Sequence, residues 1–127
     1  MKDFVHVKAP GNWINDPNGF IYYKGKYHLF FQHFPYAPEW GTMHWGHTVS
    51  EDLVHWEYQG IALFPTKEYD QNGVFSGTAL EEDGKLKIYY SAVKISETRP
   101  GRYSPGTGRC HSDEPGNDRI GRRVPFL

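Results

Sequence analysis

The sequence predicts an all-β protein. Aromatic residues make up 17% of its 127 residues, and Gly and Pro interrupt the aromatic runs at short intervals. Such a pattern is typical of strands joined by turns. A second observation is a hairpin pattern that occurs twice, with 59 residues between Gly25 and Gly84. A third is that this pattern stops before the last 31 residues, where the composition changes.

The two hairpins span residues 20–32 and 74–91. In each, an apolar, aromatic strand precedes a polar turn that contains glycine, at Gly25 or Gly84, and a second apolar strand follows it. Glycine supplies the positive φ that a tight reversal needs. The return strands are rich in aromatic and aliphatic residues in both copies, so the chain carries a weak internal repeat.

Two further strands are predicted between the hairpins, over residues 44–50 and 54–58, joined by a turn at residues 51–52. Together with the first hairpin they give four strands per repeat, which is the plan of a propeller blade. At about 59 residues per blade, the coherent part of the chain makes about one and a half blades. The fold class is therefore predicted as all-β, the opening part of a β-propeller with an irregular C-terminal tail.

The composition divides the chain at residue 96. Residues 1–96 contain eight Lys and no Arg, whereas residues 97–127 contain six Arg and no Lys. The second segment also holds five Gly and four Pro and has no apolar periodicity. We interpret residues 1–96 as the N-terminal part of the propeller and residues 97–127 as an Arg/Gly/Pro-rich tail that is disordered or encoded in a shifted reading frame.

Charge and cysteine content exclude several classes of partner. The net charge is −1, and the tail carries only +2, so neither nucleic acid nor an anionic membrane is expected as a partner. The single cysteine, Cys110, excludes an internal disulfide and a zinc site of several thiolates. His44 and His47 would lie on opposite faces of a strand, so no metal or cofactor is predicted. Without an apolar N-terminal run, we expect a cytoplasmic protein.

The most specific pattern is Trp-Ile-Asn-Asp-Pro-Asn-Gly at residues 13–19. The proline after Asp16 disfavours helical geometry and predicts a rigid, extended backbone, and residues 18–19 are expected to form a tight turn into the next strand. A carboxylate between the amide of Asn15 and the indole of Trp13 could attack a sugar carbon. The same Asp-Pro-Asn-Gly is also a common turn sequence, so this pattern alone leaves both interpretations open.

Five further motifs decide between them. With residues 13–19 they occur in the order found in glycoside hydrolase family 32, which the sequence resembles over residues 5–93. That family contains invertases, sucrose-6-phosphate hydrolases, levanases and inulinases. The five motifs are Tyr27-His28-Leu29-Phe30-Phe31-Gln32, Glu39-Trp40-Gly41, Trp45-Gly46-His47, Asp52-Leu53-Val54-His55-Trp56 and Phe75-Ser76-Gly77.

The resemblance implies a five-bladed propeller followed by a β-sandwich, of which the chain contains only the opening. It also implies a β-fructofuranosidase that hydrolyses terminal β-D-fructofuranosides with retention, through a covalent fructosyl-enzyme intermediate. Asp16 matches the family's nucleophile. The expected partner is a small-molecule sugar: sucrose, sucrose 6-phosphate or a fructo-oligosaccharide.

Six further residues match the family's substrate-binding positions. Asn15 and Gln32 match amides that bind fructose hydroxyls, and the others match or adjoin the wall of the fructose subsite; these are Trp13, Trp40, Phe75 and Ser76. Each also has a purely structural interpretation, as a strand end, a turn hydrogen bond or an ordinary core aromatic. Asp70, in a polar loop, is expected to be solvated and outside the site.

Two parts of the family's active site are absent from the sequence. The family's acid/base is a Glu in a Glu-Cys motif, and an Asp in an Arg-Asp-Pro motif binds fructose; neither motif occurs in the 127 residues. We therefore expect this chain alone to be inactive, because leaving-group protonation is lost. The alternatives are a non-catalytic fructose-binding fragment or pseudoenzyme and, among enzymes, a related propeller such as an arabinanase, against which the Phe75-Ser76-Gly77 motif argues.

Overall fold

A computed structural model describes residues 6–94 and two short segments, 109–110 and 121–123. The described residues form strands and one 3₁₀ turn, Glu68–Asp70, and contain no helix long and apolar enough to cross a membrane. The strands are β1 (Trp13–Tyr23), β2 (Lys26–Phe34), β3 (His44–Ser50), β4 (Glu57–Leu63), β5 (Gly73–Glu82), β6 (Lys85–Lys94), β7 (Arg109–Cys110) and β8 (Gly121–Arg123).

The strands form two antiparallel sheets. The first has the order β1-β2-β3-β4, so each strand pairs with the next along the chain. The second is built on the β5-β6 hairpin, and β7 and β8 both pair with β6. The predicted all-β fold and the predicted four strands in the first repeat are thus present.

Both predicted hairpins are confirmed, together with the role of their glycines. Lys24 and Gly25 have φ values of 48° and 80°, and Asp83 and Gly84 have 53° and 72°. Positive φ at both central residues is the signature of a type I′ turn, whose twist matches that of the flanking strands. The first turn also contacts the second sheet, because the Tyr23 hydroxyl donates to the carbonyl of Gly84 at 2.9 Å.

The strand predicted at residues 54–58 is present only in part, because its start is wrong. The fourth strand is Glu57–Leu63, and the residues before it form a loop around the carboxylate of Asp52. Its Oδ1 accepts the backbone N–H groups of Val54 at 2.9 Å and His55 at 2.7 Å. Because these donors are satisfied locally, they cannot take part in a strand ladder. The hydrogen bond from the His55 side chain has the largest effect in holding the pKa of Asp52 below its usual range, and these two backbone bonds add to it.

The turn predicted at residues 18–19 is also absent, because β1 runs without interruption from Trp13 to Tyr23. Gly19, at φ 53°, instead forms an irregularity within the strand. A side chain there would be crowded and its backbone strained: its Cβ would lie 3.0 Å from Phe30 and 3.2 Å from Ala79 of the second sheet. The glycine therefore allows close packing of the two sheets.

The hydrophobic core lies between the two sheets. It combines aromatic residues of the first sheet with aliphatic residues of the second, and this packing orients β1 against β5. Burial of such side chains is the dominant favourable term in folding. The buried members of the core are Tyr23, Phe30, Trp45, Leu63, Val74, Ala79, Leu86, Ile88, Tyr90 and Ala92.

Two histidines are hydrogen-bonded to each other beside this core. His28 Nε2 donates to the carbonyl of Tyr23 at 3.0 Å, so His28 Nδ1 accepts from His47 Nε2, also at 3.0 Å. The ring of Phe30 stacks on His47 with 4.5 Å between centroids. Burial lowers the pKa of His28, and it lowers the pKa of His47 to about 4, because the charged ring is poorly solvated there.

This pair predicts that the chain loses stability as the pH falls from about 6.5 to about 4. In that window the unfolded chain binds protons that the folded chain does not. The free energy of unfolding therefore falls by up to about 1.4 kcal/mol per pH unit for each histidine. Electrostatic repulsion from Lys26 adds to the lowering of the pKa of His28 by burial. His47→Gln should flatten this decline in urea unfolding midpoints. An unchanged pH slope in that variant would contradict the prediction.

Candidate functional site

Asp16 occupies a β-bulge in β1. The pairing with β2 passes from Asn15 opposite Gln32 directly to Pro17 opposite Phe31, so Asp16 is an extra residue with no partner in the register. Bulges re-aim a side chain and occur often beside active sites. The carboxylate of Asp16 is exposed, which leaves it accessible to a ligand.

A second bulge in β5 faces the first. The β5-β6 pairing passes from Val74 opposite Ala92 to Gly77 opposite Tyr90, which adds one residue to β5 between them. At this bulge the hydroxyl of Ser76 donates to Asp16 Oδ2 at 3.1 Å. The two bulges thus bring a carboxylate from one sheet into contact with a hydroxyl from the other.

The first sheet holds the start of β5 through Val74. The backbone N–H of Val74 donates to the carbonyl of Met43 at 2.9 Å. Its carbonyl accepts from the side-chain amide of Gln32 at 3.0 Å. Gln32 is only 2% exposed and lies within β2 rather than at its end, so the interpretation as a strand end is wrong.

The next residues of β5 are held in the same way. The indole N–H of Trp45 donates to the carbonyl of Phe75 at 2.9 Å. The backbone N–H of Gly77 donates to Asn18 Oδ1 at 3.3 Å. These bonds satisfy backbone groups at the outer edge of β5, so residues 74–77 are fixed to the first sheet on both sides of Ser76.

The remaining predicted site residues adjoin these groups. Trp13 donates from its indole to Asn15 Oδ1 at 2.6 Å, and Asn15 lies opposite Gln32 across the β1-β2 ladder. The ring of Trp40 meets the ring of Phe75 edge-on, with 5.9 Å between centroids. All seven residues chosen from the sequence therefore belong to one connected set of contacts, although their roles stay predictions.

The expectation that Asp70 is solvated is wrong, because the residue is 0% exposed. Its Oδ1 accepts the backbone N–H groups of Thr66 at 2.9 Å and Lys67 at 2.8 Å, and its Oδ2 accepts the hydroxyl of Tyr90 at 2.7 Å. Tyr90 lies opposite Gly77 in the β5-β6 ladder. Asp70 thus ties the segment before β5 to the strand that supports the site.

Two residues near the site were missed by the sequence reasoning. Trp45 is fully buried and Asn18 is 4% exposed, and both bind the backbone of β5. Asn18 was expected in a turn, and its Nδ2 has no hydrogen-bond partner within the described part of the chain. The available signal was their position inside two of the six motifs, where a buried amide or indole N–H needs a partner.

The histidines of β3 have structural contacts. His44 hydrogen-bonds the carbonyl of Thr42 at 2.8 Å, while His47 binds His28. Across residues 6–94 and the two short segments, no group of three or more His, Cys, Asp or Glu could hold a metal ion. The site itself combines an exposed carboxylate with a hydroxyl donor, amides and aromatic rings, and these groups are suited to binding and attacking a sugar.

Comparison with known proteins assigns the family. The model of the glycosyl hydrolases family 32 N-terminal domain matches residues 6–104. The chain belongs to glycoside hydrolase family 32. A family 32 member is a glycoside hydrolase, and the predicted resemblance is thereby confirmed.

Relatives in the family are similar over most of the chain. A sucrose-6-phosphate hydrolase of Zymomonas mobilis is 52% identical over 96 residues, which are 75% of this chain and 19% of the relative. A raffinose invertase of Escherichia coli is 42% identical over 96% of this chain and 22% of its own. The chain thus spans about a fifth of the length of these relatives.

Solved structures agree with the fold. A family 32 β-fructofuranosidase of Bombyx mori matches with a TM-score of 0.69 and 44% identity, over 76% of this chain and 20% of that one. A sucrose-6-phosphate hydrolase of Lactobacillus gasseri matches with a TM-score of 0.64 and 48% identity, over 66% of this chain and 17% of that one. The predicted opening part of a β-propeller is confirmed.

The assignment of residues 97–127 to a separate tail stays a prediction. Most of that segment lies outside the described residues, apart from β7 and β8, which pair with β6. The family match extends to residue 104, somewhat beyond the boundary at residue 96 that the composition indicated.

Gly77 offers a direct test of the β5-β6 geometry at the bulge. A Cβ there would lie 1.9 Å from the carbonyl oxygen of Tyr89, which is backbone of the neighbouring strand and cannot rotate away. We expect Gly77→Ala to lower the free energy of unfolding by about 2 kcal/mol or more in urea titrations. The matched control is Gly11→Ala, where a Cβ meets nothing within 4 Å. Equal midpoints for the two variants would contradict the geometry.

Proposed function

We propose that the chain is the nucleophile-bearing part of a β-fructofuranosidase of the sucrose or sucrose-6-phosphate hydrolase type. The observation that carries the proposal is the exposed carboxylate of Asp16, set on a bulge and hydrogen-bonded by Ser76 of the second sheet. A carboxylate held in this way on two packed sheets is preorganised to attack a bound sugar.

Asp16 is the proposed nucleophile. Its carboxylate oxygen forms a bond to the anomeric carbon of the fructosyl unit while the bond from that carbon to the leaving oxygen breaks. Water then cleaves the resulting ester, and the two inversions together retain the configuration. The Ser76 hydroxyl, at 3.1 Å from Oδ2, orients the carboxylate so that its other oxygen can face the sugar.

The other predicted residues form the proposed fructose subsite. Asn15 presents its side-chain amide for the fructose hydroxyls and keeps hydrogen-bonding capacity beyond the contact described above. Gln32 is proposed to border the same subsite from the adjacent strand, where its amide is 2% exposed and donates to the carbonyl of Val74. The rings of Trp13, Trp40 and Phe75 supply the wall against which the apolar C–H face of a sugar can pack. Amides and rings together would orient the anomeric carbon towards Asp16.

The proposed substrates are sucrose, sucrose 6-phosphate or a fructo-oligosaccharide. Support comes from the relatives, which include sucrose-6-phosphate hydrolases of Zymomonas mobilis and a levanase of Bacillus subtilis. A mutant of the Bombyx mori β-fructofuranosidase has been solved in complex with sucrose. We propose a cytoplasmic location, and neither nucleic acid nor membrane as a partner.

Hydrolysis with retention needs a second carboxylic acid about 5–5.5 Å from the nucleophile. Neither the Glu-Cys nor the Arg-Asp-Pro motif of the family occurs in the 127 residues. We therefore propose that this chain by itself binds fructose but does not hydrolyse sucrose. A non-catalytic fructose-binding fragment or pseudoenzyme is the second candidate, and it differs in having no reactive nucleophile.

An activated substrate separates these candidates. Fluoride leaves β-D-fructofuranosyl fluoride without being protonated, so the acid is not needed for the first step. We expect the chain to gain the mass of one fructosyl group on the peptide containing Asp16, and Asp16→Asn to gain none. Asp83→Asn is the matched control, because Asp83 lies in the β5-β6 turn at φ 53°, which Asn also tolerates.

Each outcome assigns one candidate. Fructosyl transfer to Asp16 and not to the Asn variant supports the proposed nucleophile. Fructose binding without any transfer favours the non-catalytic fragment. Transfer that survives Asp16→Asn places the nucleophile elsewhere, and the absence of both binding and transfer refutes the proposed function.

A further inference from the structure

Trp45 lies at the junction of the two bulges. Its side chain is fully buried, and its ring packs beside Phe30 with 5.6 Å between centroids. It also lies next to the backbone of Gly19, where an added Cβ would be 3.4 Å from Trp45 Cζ3. The same ring therefore lies close to the strand that carries Asp16 and, through its N–H, bonds the strand that carries Ser76.

The partner of that N–H is a carbonyl that the β5 bulge removes from its ladder. Between Val74 and Gly77 the regular pairing with β6 is interrupted, so the carbonyl of Phe75 needs a donor from elsewhere. The indole of Trp45 supplies one at 2.9 Å. A partly buried carbonyl without a donor is unfavourable, so this bond favours the bulged conformation.

We propose that Trp45 is a positioning residue for the candidate site: its indole N–H fixes the Phe75–Ser76 bulge so that Ser76 reaches Asp16 and the Phe75 ring meets Trp40. This inference deepens the proposed function. The part of its test that measures fructose binding rests on that proposed function. The contacts of Trp45 given above are to Phe30 and to the carbonyl of Phe75, so its effect on Asp16 is indirect.

The position of the bond along β5 singles out Trp45. Gln32 binds the carbonyl of Val74, one residue before the bulge, and Asn18 binds the N–H of Gly77 after it. Trp45 bonds the backbone inside the bulge, at the peptide that precedes Ser76. Because a fully buried indole has little rotational freedom, the direction of its N–H is well defined.

The test uses Trp45→Phe in the 127-residue chain. Phenylalanine keeps an aromatic ring in the core and removes the donor. The matched control is Trp56→Phe, which removes an indole bond of 3.2 Å to the carbonyl of Leu53 in an exposed loop. Fructose is titrated into each variant and followed by NMR, and urea unfolding establishes the concentration range in which each variant stays folded.

We expect Trp45→Phe to weaken fructose binding about tenfold, the effect of one hydrogen bond. The backbone amide signals of Ser76 and Gly77 should shift more than those of the distant turn at Gly25. Trp56→Phe should change neither the affinity nor these signals. A Trp45→Phe chain that stays folded with unchanged affinity and unchanged Ser76 signals would overturn the proposal.

The unsubstituted chain gives an independent readout in case Trp45→Phe does not fold. The indole proton of Trp45 should exchange with solvent much more slowly than that of Trp56, and its signal should move when fructose binds. Equal exchange rates would overturn the proposal. If the unsubstituted chain binds no fructose, the proposed function fails, while indole exchange and the Ser76 signals still decide whether Trp45 positions the bulge.

Discussion

The hydrogen bonds between the first sheet and residues 74–77 of β5 are the constraint on which the candidate site depends. Each donor or acceptor comes from a different strand or loop of the first sheet, and the backbone of β5 supplies the partners. A regular hydrogen-bond ladder between β5 and β6 could not position the site in this way. It would align the two strands throughout and leave no bulge at Ser76. The first-sheet groups involved are Met43 O, Gln32 Nε2, Trp45 Nε1 and Asn18 Oδ1.

Burial of apolar side chains around the bulge stabilises this arrangement. The core between the sheets lies beside these bonds, and burial strengthens a hydrogen bond and penalises any group left unpaired. Two glycines permit close packing here: Gly19 leaves room for Ala79 of the second sheet, and Gly77 leaves room for the backbone of Tyr89 on the neighbouring strand β6. Asp70 reinforces the same region from behind through Tyr90. The exposed carboxylate of Asp16 thus stands on a rigid support, as preorganised chemistry requires.

Local signals were enough to predict the hairpins, because glycine at Gly25 and Gly84 determines where each pair of strands reverses. The start of β4 was mispredicted because the carboxylate of Asp52 competes with the ladder for backbone donors, an effect that hydrophobic alternation does not record. Asp70 was misplaced for a related reason: two of its donors are backbone groups and the third, Tyr90, lies 20 residues further on. The site residues were predicted through the motif resemblance. Their mutual contacts could not be predicted in this way, because they depend on how the two sheets pack.

Amide hydrogen exchange tests the central claim most directly. The amides of Val74 and Gly77 are bonded across the sheets, to Met43 O and Asn18 Oδ1, whereas the amide of Val54 is bonded within an exposed loop. The account predicts that Val74 and Gly77 exchange as slowly as amides of the β5-β6 ladder and far more slowly than Val54. Exchange of Val74 and Gly77 at the rate of Val54 would contradict the claim that the first sheet holds the bulge beside Asp16.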